Sequence, residues 1–242
     1  MLAELVEREI DFDTDEQIAP PVGRHRNAPA VLPSGGRLLR SHEPYKRWYG
    51  INYGAVIYVI RDGRDVAVSN YYHHRRRGWY EGEFSQFLQL FLAGVIDGYG
   101  AWHNHVLSWL ERHKQAPGRV MIVKYEDLLH DPNQELDNIN EFLSLDCDRK
   151  RIAHVVANNS IDRMRAKESR SRNLAAQRIT NVPFVRKGVA GGWRELFDHQ
   201  DEERFAAIAG RALREAGYVL TSTEHADVQL DSGSVPRGGS AA

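Results

Sequence analysis

An uninterrupted apolar run, Ala55-Val56-Ile57-Tyr58-Val59-Ile60, is built of β-branched and aromatic residues. That is the pattern of a parallel strand covered on both faces, lying mid-sheet. After Asp62 and Gly63 the period changes. From Asp65 to about Arg77 the apolar positions Val66, Val68 and Tyr72 fall at helical spacing, so a strand, a tight turn and a helix follow one another. The same reading predicts helices over 84–96 and 101–114. Pro117 and Gly118 break the chain before a second strand over 119–124. Asp131 and Pro132 open a helix to about Leu145, with proline in the first turn. Short helices are expected over 149–157 and 161–165, a long loop over 169–185, and an amphipathic helix over 201–216 stopped by Gly217. Residues 37–41 read as a short strand closed by Pro44.

Strands alternating with helices imply an α/β fold with a central parallel sheet flanked by helices, whose ligands sit at the carboxyl ends of the strands. The chemistry should therefore follow Ser41, Ile60 and Lys124. Residues 1–30 form an acidic, irregular N-terminal arm, loosely held and without a sustained period. Residues 31–220 form the domain, and the polar, Gly/Ser-rich stretch 221–242 reads as a disordered tail.

Composition narrows the function classes. At 242 residues, 42% hydrophobic and 27% charged, the chain suits one globular domain with a sizeable core. Lysine plus arginine number 32 against 33 aspartate plus glutamate, so no overall field draws in nucleic acid. The distribution is more telling: eight basic residues from Arg163 to Lys187 face only Glu168, which suits either an anion site or a solvated face. Cys147 is the lone cysteine, so no internal disulfide can form. The N-terminus is acidic, unlike a signal peptide, and no apolar run reaches the ~20 residues a membrane span needs. A cytoplasmic protein with no membrane partner is expected.

Arg61 leaves the end of the first strand and Ser69 lies on the first turns of the next helix, so both can point into one crevice. A phosphate there would meet a guanidinium fork and a hydroxyl beside a helix N-terminus. Spacing alone equally allows a structural arginine paired with Asp62 or Asp65 and a capping serine. Likewise Arg186-Lys187-Gly188 could be a solvated loop, and His42 an ordinary histidine among 11.

In chain order, four segments resemble the cytosolic sulfotransferase family. Val59 to Ser69, with Asp65 and Tyr71, is similar to its 3′-phosphate motif, an arginine followed eight residues later by a serine. Leu38-Leu39-Arg40-Ser41-His42-Glu43-Pro44 resembles the strand that ends in the catalytic histidine. Val123-Lys124-Tyr125-Glu126-Asp127-Leu128 resembles a strand end whose tyrosine reaches the adenine region, and Asn159-Ser160-Ile161 through Met164 echoes a T-S-F-x-x-M adenine contact with isoleucine for the aromatic. Phe184 to Trp193 is similar to R-K-G-x-x-G-D-W, with Gly192 in place of the aspartate. The resemblance implies the P-loop-NTPase-like sulfotransferase fold and the co-substrate 3′-phosphoadenosine 5′-phosphosulfate, without a metal. His42 would be the general base; Arg61, Ser69, Tyr125, Ser160, Arg186, Lys187 and Gly188 would bind the donor.

One part of the family pattern is missing. No P-K-S-G-T-T-W type loop, which would hold the 5′-phosphosulfate, precedes His42; Pro33-Ser34-Gly35-Gly36 lacks the lysine and the threonines. The expectation is an N-terminally truncated domain. It would transfer a sulfuryl group to a hydroxyl or amine of a small-molecule or glycan acceptor, or be a catalytically impaired nucleotide-binding remnant. A nucleic-acid-binding domain built on His73-His74-Arg75-Arg76-Arg77 lacks interleaved aromatic platforms, and a nucleotide kinase would need G-x-x-x-x-G-K-[S/T]. The family's dimer pattern is reduced to Arg194, Asp198, His199 and Glu203, so a homodimer stays open.

Overall fold

A computed structural model of the chain describes residues 1–5, 12–14, 17, 19, 21, 29, 30, 32, 35–45 and 53–220. The tail 221–242 and most of the arm lie outside them. Two strands form the centre: β1 (Val56–Ile60) pairs in parallel with β2 (Val120–Lys124), Val56 opposite Val120 and Ile60 opposite Lys124. Around them run α1 (Leu2–Leu5), α2 (Gly63–Arg76), α3 (Phe84–Ala93), α4 (Trp102–Gln115), α5 (Tyr125–His130), α6 (Pro132–Leu143), α7 (Arg149–Asn158), α8 (Ile161–Arg170), α9 (Arg172–Ala176), a 3-10 turn (Gly192–Glu195) and α10 (His199–Glu215). Parallel neighbours need a crossover, and α2, α3 and α4 provide it. The expected α/β class with a parallel sheet and flanking helices is what the chain forms.

The helices bury one stripe each. On one side Val68 of α2, Phe87 and Leu88 of α3, and Phe205 and Leu213 of α10 meet in an apolar core that also takes Trp193. Ile60 of β1 packs with Val106 of α4 and Ala212 of α10. A second core gathers Val123 of β2, Leu136 and Ile139 of α6, Ile152 and Val155 of α7, and Leu5 of α1. Truncating a fully enclosed phenyl ring such as that of Phe87 removes about 3–5 kcal/mol, so these stripes fix where the helices lie. No helix among the described residues is long and apolar enough to cross a membrane.

Several expectations are corrected. β1 is not covered on both faces, since Val59 is 52% exposed, and it is not mid-sheet, since among the described residues it has a neighbour on one edge only. Residues 37–41 form no strand; Arg40 makes a single bridge to Pro21. The helix expected to reach Ile96 stops at Ala93, because Gly94 adopts φ 72° and brings its α-carbon against the backbone of Ala101. The loop expected over 169–185 begins with helix: α8 runs to Arg170 and α9 follows. Its nucleus is a tertiary contact that no local period shows. Asp13 accepts hydrogen bonds from the Ser171 hydroxyl (2.6 Å) and from the amides of Arg172 (3.0 Å) and Asn173 (3.1 Å), while Ser171 caps Leu174. At the start of the chain Leu5 is buried at 2% exposure and Glu4 meets Lys167 at 3.2 Å, so residues 2–5 are firmly packed.

Candidate functional site

The register of the two strands decides what meets at their carboxyl ends. With Ile60 opposite Lys124, the next residues, Arg61 and Tyr125, stand side by side, and the Arg61 guanidinium lies 4.5 Å over the Tyr125 ring. The strand tips are braced from behind by Glu126, whose carboxylate accepts the Asp62 amide (3.0 Å) and the Tyr218 hydroxyl (2.8 Å). Burial and this carboxylate push the Tyr218 hydroxyl well above its ordinary pKa, so it stays a donor. Asp62 pairs with Arg64 at 2.7 Å and caps α2; it is not the partner of Arg61.

The basic glycine loop comes from far along the chain and is fastened to α2 by one side chain. Asp65, 2% exposed, accepts the amide of Gly191 at 2.7 Å and that of Trp193 at 2.9 Å. It also faces Arg61 at 3.5 Å, and Arg61 donates to the Val189 carbonyl at 2.9 Å. Loop and strand tip are thus tied through one arginine and one aspartate. Gly188 sits at φ 65°, where a Cβ would come within 2.7 Å of the Ile161 side chain. Only glycine lets the loop pass there without strain.

These elements enclose a cleft of about 850 Å³, within the range of small-molecule sites. Arg61, Ser69, Tyr125, Ser160, Arg186, Lys187 and Gly188, expected from sequence to bind one ligand, all line it. Ser69 opens onto it from α2 and Ser160 from the start of α8. The Arg186 guanidinium stacks 4.2 Å from the Tyr72 ring, and Lys187 pairs with Glu195. Arg61 keeps a buried Nε with no hydrogen-bond partner. Asp65 is the only acid among the described lining residues, so the cleft is cationic and suited to a phosphate.

His42 lies elsewhere. It is exposed on the flank of α4, its ring 5.3 Å from that of Tyr99, and it is not among the cleft residues. Its carbonyl accepts from Nε2 of His105 at 3.1 Å, which leaves Nδ1 of that ring to accept from the Tyr58 hydroxyl at 3.0 Å. Burial lowers the His105 pKa and keeps this neutral tautomer. The indole of Trp109 donates to the Glu43 carbonyl and Ser108 receives the Tyr45 amide, so residues 42–45 are seated on α4.

Cleft residues that sequence reasoning missed include Tyr72, His73 and Arg76. The signal was present: counted from Ser69, they fall three, four and seven positions on, which is one face of α2. Phe184, 45% exposed, adds an aromatic ring at the rim.

Comparison with known proteins bears on this arrangement. The sulfotransferase domain profile matches residues 32–217. Rat sulfotransferase 1 family member D1 is 30% identical over 177 residues, covering 70% of this chain and 59% of its own length. Mouse sulfotransferase 1B1 is 32% identical over 183 residues, 71% and 59%. The chain therefore spans about three fifths of the length of these curated relatives. Mouse sulfotransferase SULT7A1, solved in complex with PAP, superposes with a TM-score of 0.63 at 24% identity, covering 75% of this chain and 68% of that one, a likeness of fold. The profile match across most of the chain and the matching fold lead to one conclusion: the chain belongs to the cytosolic-type sulfotransferase family.

Proposed function

We propose that the cleft binds the 3′-phosphoadenosine end of 3′-phosphoadenosine 5′-phosphosulfate and that the chain is the donor-binding part of a sulfotransferase. The observation that carries this reading is convergence: residues from both strand tips, from α2, from α8 and from a loop more than a hundred residues away surround one cationic cleft. Arg61 would give its unpartnered Nε and part of its fork to the 3′-phosphate, joined by Ser69, Arg186 and the Gly188 amide, while Lys187 adds charge. Tyr125 and Ser160 would border the adenine. The residues present fit the 3′ half of the nucleotide. For the 5′-phosphosulfate the chain shows no lysine-bearing loop, and no step at that end is assigned to its residues.

In the family reaction the donor supplies the sulfuryl group to a hydroxyl or amine of a small molecule or glycan, and His42 would take the acceptor proton. Exposed beside α4, His42 would have to be presented to an acceptor from outside the cleft. The second reading, a nucleotide-binding remnant with impaired turnover, is favoured by that placement.

Calorimetric titration of the full chain with adenosine 3′,5′-bisphosphate separates these readings from a wrong assignment. Saturable binding is expected, weakened about 10- to 100-fold in Arg61→Ala, the range of a lost charge-assisted hydrogen bond. No heat with the parent chain, or equal affinity in the variant, overturns the assignment. A radiolabelled sulfuryl-transfer assay on a binding-competent sample then decides between enzyme and remnant.

A further inference from the structure

We propose that a second crevice, behind the wall of the nucleotide cleft, binds a dianionic oxyanion, a phosphate or sulfate group, among Arg76, Arg165, Arg178 and Arg186. The crevice has a volume of about 410 Å³, and the four arginines line it with Glu168 as the only acid among the described lining residues. Arg76 and Arg186 line both spaces, and Pro183 and Val185 form the partition between them.

Arg76 is the observation that calls for a ligand. It is the last residue of α2, 1% exposed, and it donates one Nη2 hydrogen bond to the Leu174 carbonyl. Its Nε and Nη1 are buried with no partner. A guanidinium held out of water with two of its nitrogens unpartnered is strongly unfavourable unless an anion completes it. No carboxylate of the described residues bonds to it directly. Glu168 attracts the guanidinium electrostatically, but its two oxygens accept the backbone amides of Phe184 (2.6 Å) and Val185 (2.8 Å) and make no hydrogen bond to Arg76. The other cations are held largely by neutral acceptors. Arg178 donates to the Thr180 carbonyl and to the Asn181 amide oxygen, Arg165 to the Arg186 carbonyl, and its one ion partner, Asp162, is 3.8 Å away and exposed.

A clamp on Leu174 would need only Nη2. Four guanidinium groups around one opening, against the one carboxylate of Glu168 among the described lining residues, leave an excess of positive charge that a multiply charged oxyanion would balance. Phosphate and sulfate match the fork geometry of arginine and carry enough oxygens to serve several forks at once. Arg165 and Arg178, exposed at the rim, would admit the anion to the buried Arg76 at the floor. The nucleotide cleft contributes Arg61 and Ser69, which the crevice lacks, so the two sites can be separated by mutation.

The test is calorimetry and thermal unfolding of the full chain in inorganic phosphate, inorganic sulfate or phenyl phosphate at constant ionic strength, on the parent, Arg61→Ala and Arg178→Ala. Expected is one phosphate-class site that survives Arg61→Ala and weakens at least tenfold in Arg178→Ala, while adenosine 3′,5′-bisphosphate shows the reverse order. Inorganic ions binding as well as phenyl phosphate support a free anion; phenyl phosphate alone supports an oxyanion carried on a larger molecule. Arg76→Met should abolish the site and leave the anion-free melting temperature unchanged or higher. Absence of saturable anion binding in Arg61→Ala, or equal binding in Arg178→Ala, overturns the proposal, whatever the bisphosphate does.

Discussion

Asp65→Ala is the sharpest test of how the site is assembled. The carboxylate is 2% exposed and accepts two backbone amides, Gly191 and Trp193, while facing Arg61 at 3.5 Å. Removing it leaves two buried N–H groups without acceptors and a half-buried guanidinium without its counter-ion. A hydrogen bond to a charged acceptor contributes about 1.5–3 kcal/mol, and breaking one side of a buried pair removes about 3–5 kcal/mol. The three contacts share one carboxylate and are not additive, so the expected loss is about 3–5 kcal/mol, a large fraction of a domain's total stability. The second consequence is functional. Trp193, 3% exposed and packed on Phe197 at 5.3 Å, is the far anchor of the loop that presents Arg186, Lys187 and Gly188, so loosening it should weaken bisphosphate binding at least tenfold. Denaturant unfolding gives the first number and calorimetry the second. Asp65→Asn should fall between, because one amide oxygen can accept only part of what the carboxylate accepts. If Asp65→Ala unfolds within about 1 kcal/mol of the parent, the net contribution of one ordinary hydrogen bond, and binds the nucleotide equally well, the loop is held by something else and this account of the cleft is wrong.

Other expectations follow from single contacts. Gly94→Ala would place a Cβ 2.3 Å from the Ala101 nitrogen at φ 72°, so a loss of about 2–4 kcal/mol is expected in urea unfolding, with backbone rather than a mobile side chain in the way. Gly188→Ala meets only the tip of Ile161 but keeps the positive φ; a loss of about 1–2 kcal/mol in thermal unfolding should accompany weaker bisphosphate binding. The buried His105 has a lowered pKa in the fold, so its neutral form contributes stability that is complete above its unfolded value of about 6.5 and disappears as pH falls through the lower folded value. His73 and His103 shift the same way, so the informative quantity is the difference between the parent and His105→Gln. That difference should shrink from pH 7.5 to pH 5 in denaturant unfolding; a constant difference refutes the assigned tautomer.

The parts of the site that the sequence makes legible are those set by local chemistry at a strand end. Arg61 follows an apolar β run and Tyr125 follows another, and parallel pairing in register brings them together without further information. The loop from Arg186 to Gly192 is different. Its periodicity says nothing about where it docks, and its place depends on an aspartate 126 residues from Gly191 that accepts its amides. Only the resemblance of the whole motif set anticipated that meeting. The α9 helix was hidden for the same reason, since Asp13 supplies its N-terminal contacts from 158 to 160 residues away. Tyr72, His73 and Arg76 were readable from helical spacing once Ser69 was placed, but two of them look like ordinary parts of a basic run in which charge alone names no face.

The same contacts explain how the proposed nucleotide half-site can stand on a sheet with only two strands among the described residues. Each cleft group that the proposal assigns to the 3′-phosphate lies on an element fixed within the described fold. Register fixes Arg61 beside Tyr125, Glu126 ties Asp62 to Tyr218, and Asp65 pins the glycine loop to the first turn of α2. Ser69 needs only that helix. None of these restraints passes through His42, which is seated on α4 by Tyr58, His105 and Trp109 on a separate set of bonds. The proposed donor cleft and the seat of His42 are therefore held by separate sets of contacts. A substitution at His105 or Trp109 should leave bisphosphate affinity within twofold of the parent, and a loss of more than tenfold (about 1.4 kcal/mol) would show that the two halves are coupled after all.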